Sequence, residues 1–145
     1  RSTRLYSSAA SDVYKRQAMK YAITKNYKIA VISGGTNKGV KIRLERLGLT
    51  DVYMGCTNKS IVLKKLVKLY NLKKEEVLYM GDDIPDVVAM REVGLAACPE
   101  DAVEEVRNIA HYISPKRGGK GCVRDLLEQA MRLKGVWSSE KAHKW

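Results

Sequence analysis

The sequence predicts a single α/β domain, a Rossmann-like parallel sheet with helices on both faces. Two observations carry this. Short apolar runs with strand propensity recur, chiefly Tyr27–Ile32, Glu76–Met80 and Leu95–Cys98, and segments with apolar residues at helical spacing lie between them. In such sheets the functional crevice lies at the carboxyl ends of the strands.

Arg1 to Gln17 shows neither helical nor strand periodicity and is left unassigned. From Ala18 the spacing of Met19, Ala22 and Ile23 predicts a helix, and Tyr27–Ile32 a buried strand. Ser33-Gly34-Gly35-Thr36-Asn37 forms a polar turn, and Val40, Leu44 and Leu47 give the next helix its apolar face up to Gly48. Asp51–Met54 is a short strand, and a helix runs from about Lys59 to Tyr70. Glu76–Met80 is the next strand, and a short helix through Val87, Val88 and Met90 reaches Gly94. Leu95–Cys98 and His111–Ile113 read as strands around a helix at Ala102–Ile109. A basic loop, Ser114 to Gly121, precedes a final amphipathic helix from Cys122 to Lys134. The domain is expected to span 18–137, with a polar tail at 138–145, and Trp137 and Trp145 are candidates for a subunit contact.

The 145 residues are enough for a real core, and 45% hydrophobic with 30% charged residues is ordinary for a soluble protein. No apolar stretch reaches membrane-span length and no signal-peptide pattern is present, so a cytoplasmic protein without a membrane partner is expected. Cys56, Cys98 and Cys122 are odd in number, with no C-x-x-C pair, and read as reduced and structural. The net charge of +11 raises the question of nucleic acid, but the positive residues are scattered and no nucleic-acid motif accompanies them. A basic surface that favours a small anionic substrate accounts for the charge as well.

The chemistry concentrates at Val77 to Asp86, V-L-Y-M-G-D-D-I-P-D, where a buried strand stops at Gly81 and three carboxylates follow. Neighbouring carboxylates at a strand mouth repel each other and lose hydration, and a divalent cation resolves the conflict. Mg²⁺ suits the pattern, since it takes oxygen ligands and is often held by one or two protein carboxylates beside a substrate phosphate. Asp82 and Asp86 are the candidate metal residues. The competing reading is that Asp82 or Asp83 only caps the helix that starts near Ile84. Gly34 and Gly39 have P-loop spacing, but Val40 and Lys41 follow where that motif needs Lys and Ser or Thr, so the P-loop is rejected. What remains there is the Ser33 hydroxyl and free backbone N–H groups, suited to phosphate oxygens. Lys59, in the first turn of its helix, becomes informative if it points at an anion. Ser33, Lys59 and the Asp82–Asp86 cluster each follow a different strand. They are expected to meet at one sheet edge, the parts needed to hold and polarise a phosphoryl group.

That ordered set, with S-G-G-T-N-K-G, Y-M-G-D-D-I-P-D and the loop S-P-K-R-G-G-K-G-C-V-R-D, resembles the haloacid dehalogenase superfamily of Mg²⁺-dependent phosphatases. It is most similar to the capless branch acting on 3-deoxy-D-manno-octulosonate 8-phosphate, in lipopolysaccharide biosynthesis. The resemblance implies that Ser33 hydrogen-bonds the transferring phosphoryl, with Gly34 and Gly35 beside it, and that Lys59 neutralises charge. It implies Asp82 as the Mg²⁺ residue supported by Asp86, with Asp83 behind them. It implies a homotetramer in which Lys120 and Arg124 belong to a loop that helps close a neighbour's site. The family's nucleophile and acid/base, two Asp in a D-x-D-G motif ending the first strand, have no counterpart here. The only earlier carboxylate is Asp12, and D-V-Y-K-R-Q looks like adapter sequence. Residues 1–17 are therefore expected to be foreign, and the chain to be an inactive fragment lacking its first strand. Gly35 stands where many relatives have Arg, which leaves a nine-carbon keto-acid phosphate, or a pseudo-phosphatase domain of a sugar-nucleotide enzyme, as alternatives. From other classes, a non-catalytic interaction module and a basic nucleic-acid binder compete.

Overall fold

The computed structural model describes residues 4–7, 13–118 and 121–135. In chain order the elements are β1 (Arg4–Ser7), α1 (Val13–Thr24), β2 (Lys28–Ile32), α2 (Lys38–Arg46), β3 (Asp51–Tyr53) and α3 (Lys59–Leu69). There follow β4 (Val77–Met80), α4 (Val87–Arg91), β5 (Leu95–Cys98), α5 (Glu104–Ile109), β6 (Tyr112–Ile113) and α6 (Cys122–Leu133). The strands form one sheet, every pair parallel, in the order β3-β2-β1-β4-β5-β6.

Alternation along the strands builds two cores. Ile29, Val31, Leu78, Met80 and Ala97 face one side, where buried residues of α1, α2 and α6 join them. Ala30, Ile32, Val77, Tyr79, Ala96 and Cys98 face the other, with α3, α4 and α5. The last helix shows why its sequence is helical: Cys122, Val123, Leu126, Leu127 and Met131 recur at helical spacing and are all buried. Each large apolar side chain so buried contributes about 1.5–3 kcal/mol. Among the described residues no helix is long and apolar enough to cross a membrane.

The expectation of a missing first strand is corrected. Arg4–Ser7 forms a strand at the centre of the sheet, in register with Lys28–Val31 of β2 and Val77–Met80 of β4. Four residues, R-L-Y-S, are too few to show a period, and the strand is defined by pairing on both edges rather than by its own pattern. The first helix likewise begins at Val13, ahead of Ala18. Two smaller departures have local causes. The expected start of β4 at Glu76 is taken by a 3₁₀ turn at Lys74–Glu76, where the Lys73 N–H donates to Glu76 Oε1 at 2.9 Å. The expected strand residue His111 couples to Ala96 twice. Its N–H donates to the Ala96 carbonyl at 2.8 Å, and its ring Nδ1 accepts the Ala96 N–H at 2.8 Å, a side chain standing in for a ladder carbonyl.

Candidate active site

At the carboxyl edge of the sheet β2 runs into Ser33, β3 into Gly55 and Cys56, and β4 into Gly81 and Asp82. The strand order reverses at β1 and β4, from which β2-β3 and β5-β6 run in opposite directions. The crevice of a doubly wound sheet lies at such a reversal.

Two of the rim loops are laced by backbone bonds. The Ser33 N–H donates to the Tyr53 carbonyl at 2.8 Å, the Cys56 N–H to Ser33 O at 2.9 Å and the Gly55 N–H to Gly35 O at 2.7 Å. Ser33 Oγ accepts the Gly35 N–H at 3.1 Å, and an accepting hydroxyl keeps its own proton to donate. Gly34 and Gly35 are exposed.

Asn58 then starts α3, its side-chain oxygen accepting the Ile61 N–H at 3.3 Å. That cap places Lys59 at the first helical position, where it is only 9% exposed, an unfavourable place for a cation. The compensation is Asp86, 0% exposed, whose Oδ1 accepts from Lys59 Nζ at 3.0 Å and from the Tyr79 hydroxyl at 2.7 Å. Its Oδ2 accepts the backbone N–H groups of Asp82, at 3.0 Å, and Asp83, at 3.2 Å. The Ser60 hydroxyl donates to Glu92 at 2.9 Å and ties α3 to the end of α4.

The three carboxylates thus divide into different environments. Asp83 is exposed and accepts the Ile84 N–H at 2.7 Å, so the helix-capping reading holds for it. Asp86 is an internal anchor. Burial pushes its carboxyl up, but the Asp82 N–H, the Tyr79 hydroxyl and Lys59 together outweigh burial and hold it below the usual carboxylate range. Asp82 is half-buried, and burial followed by the neighbouring Asp86 charge pushes its carboxyl up, against the pull of Lys59. The Tyr79 hydroxyl is held protonated by burial and by Asp86. Negative charge is therefore uncompensated chiefly at Asp82, a hard oxygen donor at the rim. That donor chemistry fits a cation such as Mg²⁺, which needs few protein ligands, and among the described residues no group of three His, Cys, Asp or Glu forms a closed metal cage.

Gly81 is required by this packing. A Cβ there would collide with Asp86 Cβ and lie 2.8 Å from its Cγ and 2.9 Å from Met90 Sδ. Gly81→Ala is expected to displace Asp86, to destabilise the domain by about 1–3 kcal/mol as an overpacked core does, and to speed exchange of the Asp82 and Asp83 amides. Urea unfolding with amide exchange checks this, and a variant as stable as the parent would refute the close packing.

Arg124 is half-buried in the first turn of α6. Its neighbour Asp125 pins that turn to β6, accepting from the Tyr112 hydroxyl at 2.6 Å and from Ser114 Oγ at 2.8 Å. Burial, then the bond to Asp125, push the Tyr112 hydroxyl up to about 12. Lys120 lies outside the described residues. The structure therefore joins Lys59, Asp86 and the Asp82–Asp83 backbone by direct bonds, places Ser33 on the loop laced to the one that leads into Lys59, and puts Arg124 at the start of α6. Tyr79 is the member that sequence reasoning missed. Its signal was a phenol within the buried run V-L-Y-M, where a hydroxyl must find a partner.

Residues 46–124, more than half of the chain, match the family model of haloacid dehalogenase-like hydrolases. The chain belongs to this family. Among the relatives of this hydrolase is the 3-deoxy-D-manno-octulosonate 8-phosphate phosphatase of Escherichia coli K12, 32% identical over 132 residues, which cover 91% of the chain and 70% of that protein. The crystal structure of the phosphatase of that name from Yersinia pestis superposes with a TM-score of 0.89 at 25% identity, covering 93% of this chain and 83% of the other. That of the Moraxella catarrhalis phosphatase, in complex with a magnesium ion, a phosphate ion and a KDO molecule, superposes at a TM-score of 0.85 and 24% identity, over 90% and 85% of the two chains. The doubly wound, parallel architecture of this hydrolase is that of these enzymes, and its relatives are phosphatases.

Proposed function

We propose that the chain carries the phosphate-holding half of a Mg²⁺-dependent phosphomonoester hydrolase whose substrate is a sugar-acid phosphate, 3-deoxy-D-manno-octulosonate 8-phosphate. The observation that carries this reading is Lys59 anchored on buried Asp86 beside the uncompensated Asp82, in a chain whose relatives bear that substrate in their name. Lys59 sets an ammonium against the phosphoryl oxygens in a poorly solvated place, where a fixed charge is worth most. Ser33 donates its hydroxyl proton to a phosphoryl oxygen, and the Gly34 and Gly35 N–H groups line the same turn. Asp82 would hold Mg²⁺, with Asp86 fixing the loop that carries it. The bound ion supplies further charge neutralisation on the phosphoryl group. Lys120 of the basic loop and Arg124 of the first turn of α6 meet the anionic substrate, in a homotetramer.

The nucleophile is the missing part. After β1 the chain reads S-A-A-S-D before α1, without the D-x-D-G that the family resemblance calls for. The substrate assignment is tested by replacing residues 1–17 with a relative's D-x-D-G strand and connector, then measuring Mg²⁺-dependent phosphate release. A clear kcat/KM preference for the eight-carbon acid phosphate over a nine-carbon keto-acid phosphate is expected, and the reverse preference would move the assignment to the larger acid.

The metal assignment has its own test. Because the Asp82 carboxyl is raised in the folded chain, the unfolded chain ionises first. Stability then falls as pH rises from the unfolded pKa, about 3.9, through the folded value. Asp82→Asn is expected to raise the unfolding midpoint near neutral pH without metal, by the roughly 0.5–1 kcal/mol of a partly solvated charge interaction, and to abolish the shift produced by Mg²⁺. Thermal unfolding with and without Mg²⁺ reads both effects, and a retained Mg²⁺ shift would remove Asp82 from the metal site.

A further inference from the structure

We propose that Tyr79 is a positioning residue of this site: its buried hydroxyl shares Oδ1 of Asp86 with the Lys59 ammonium and so sets where that ammonium points. The proposal rests on the phosphate-binding reading above and adds to it a residue outside the rim.

Tyr79 is 0% exposed within β4, on a sheet face packed with Ala30, Ile32, Leu63, Leu66 and Met90. A phenylalanine ring would fill that volume, whereas a hydroxyl left unbonded there would be costly. The hydroxyl is used instead at 2.7 Å from Asp86 Oδ1, seven residues on across the turn. Asp86 holds its Oδ2 against two backbone N–H groups, which fix one oxygen and leave the other to be set by what meets Oδ1. Lys59, the second donor to Oδ1, reaches it on a four-carbon stem with three rotatable N–H groups. Tyr79 is a ring locked in the core. It is the rigid donor of the pair, and it decides the plane in which the carboxylate receives the ammonium.

Sharing also weakens the grip on Lys59. The Lys59 ammonium meets Oδ1 at 3.0 Å, on an oxygen that already accepts the Tyr79 hydroxyl at 2.7 Å. The hydroxyl occupies part of the oxygen's acceptor capacity, and the ammonium keeps N–H groups for a phosphate oxygen. With the hydroxyl gone, Lys59 closes on Asp86 and turns away from the rim.

The experiment compares the 145-residue chain with Tyr79→Phe and Lys59→Met in two measurements: inorganic phosphate affinity at saturating Mg²⁺ by NMR titration, and exchange of the Asp82 and Asp83 amides. Tyr79→Phe is expected to weaken phosphate binding by about three- to tenfold, the net worth of one ordinary hydrogen bond because Tyr79 acts on phosphate only through Lys59, and to speed exchange at both amides. Lys59→Met is expected to weaken phosphate binding further. A purely structural tyrosine would lower the unfolding midpoint and leave phosphate affinity unchanged, so unchanged affinity in Tyr79→Phe beside a loss in Lys59→Met overturns the proposal. If Lys59→Met binds phosphate as the parent does, the phosphate-site reading itself fails. Amide exchange then decides alone: acceleration in Tyr79→Phe upholds the pinning of Asp86, and unchanged exchange removes it.

Discussion

Asp86→Ala is expected to cost the domain about 3–5 kcal/mol, the loss seen when one partner of a buried ion pair is removed. The carboxylate accepts from Lys59, Tyr79 and the Asp82 and Asp83 amides, so its loss leaves the Lys59 ammonium, the Tyr79 hydroxyl and two turn amides without this common acceptor. Lys59 is the worst placed, since it is buried at a helix N-terminus whose dipole opposes it. Against a typical domain stability of about 5–15 kcal/mol, the variant stands near the edge of folding. Lys59→Met is expected to cost less, because Asp86 keeps the Tyr79 hydroxyl and the two turn amides. Urea unfolding in EDTA ranks the two variants, and a larger loss from Lys59→Met would make the lysine, not the carboxylate, the anchor. Acid should reproduce part of the effect. With its folded pKa depressed, the stabilisation from Asp86 is complete above the unfolded value and is lost as pH falls through the folded one.

The second large expectation is catalytic silence. Residues 1–145 as they stand are expected to release no phosphate above background at any Mg²⁺ concentration, even if the proposed site binds a phosphoryl group. The family's reaction passes through an aspartyl-phosphate, which divides one difficult displacement into two, and no carboxylate other than Asp12 lies between β1 and α1 to form it. The comparison is with the version whose first 17 residues are exchanged for a relative's D-x-D-G strand and connector. Because β1 already fills the central position, that exchange replaces one central strand with another, and any gain in turnover reports the carboxylates. Equal turnover by both proteins would overturn the fragment reading and require a nucleophile among the residues present.

Much of this was legible in the sequence. The arrest of an apolar run at Gly81 marked the end of β4, and a glycine was needed there because Asp86 folds back against its Cα. The position of Lys59 in a first helical turn proved little by itself and became informative only with an anion in reach, and Asp86 is that anion. The division of labour among the carboxylates was legible only in part. Spacing offered Asp82 and Asp86 as the metal pair and Asp82 or Asp83 as a cap, and the path of the turn decides that Asp82 is half-buried at the rim, Asp83 caps and Asp86 is fully buried. The strand β1 was not legible, because a central strand of four residues is recognised by partners that lie far along the chain rather than by its own composition. Tyr79 hid for a related reason: the partner of its hydroxyl is fixed by the turn after the strand, which no periodicity describes.

The central place of β1 also governs when the sheet can be completed. Arg4 is opposite Lys28 on one side and Val77 on the other, so its second neighbour is encoded some seventy residues downstream. At about 5–20 residues per second, a growing chain has β1 and β2 available for several seconds before β4 emerges. During that interval the middle of the future sheet is a raw edge, with unpaired N–H and C=O groups open to any passing strand. Long-range closure of this kind slows folding, and here it also sets the order of assembly: the β1-β2-β3 half can form early, and arrival of β4 seals it and delivers Asp86 to Lys59 in one event. Ribosome-bound chains stopped before Val77 should therefore depend on chaperones, and those long enough for Val77–Met80 to leave the exit tunnel should lose that dependence.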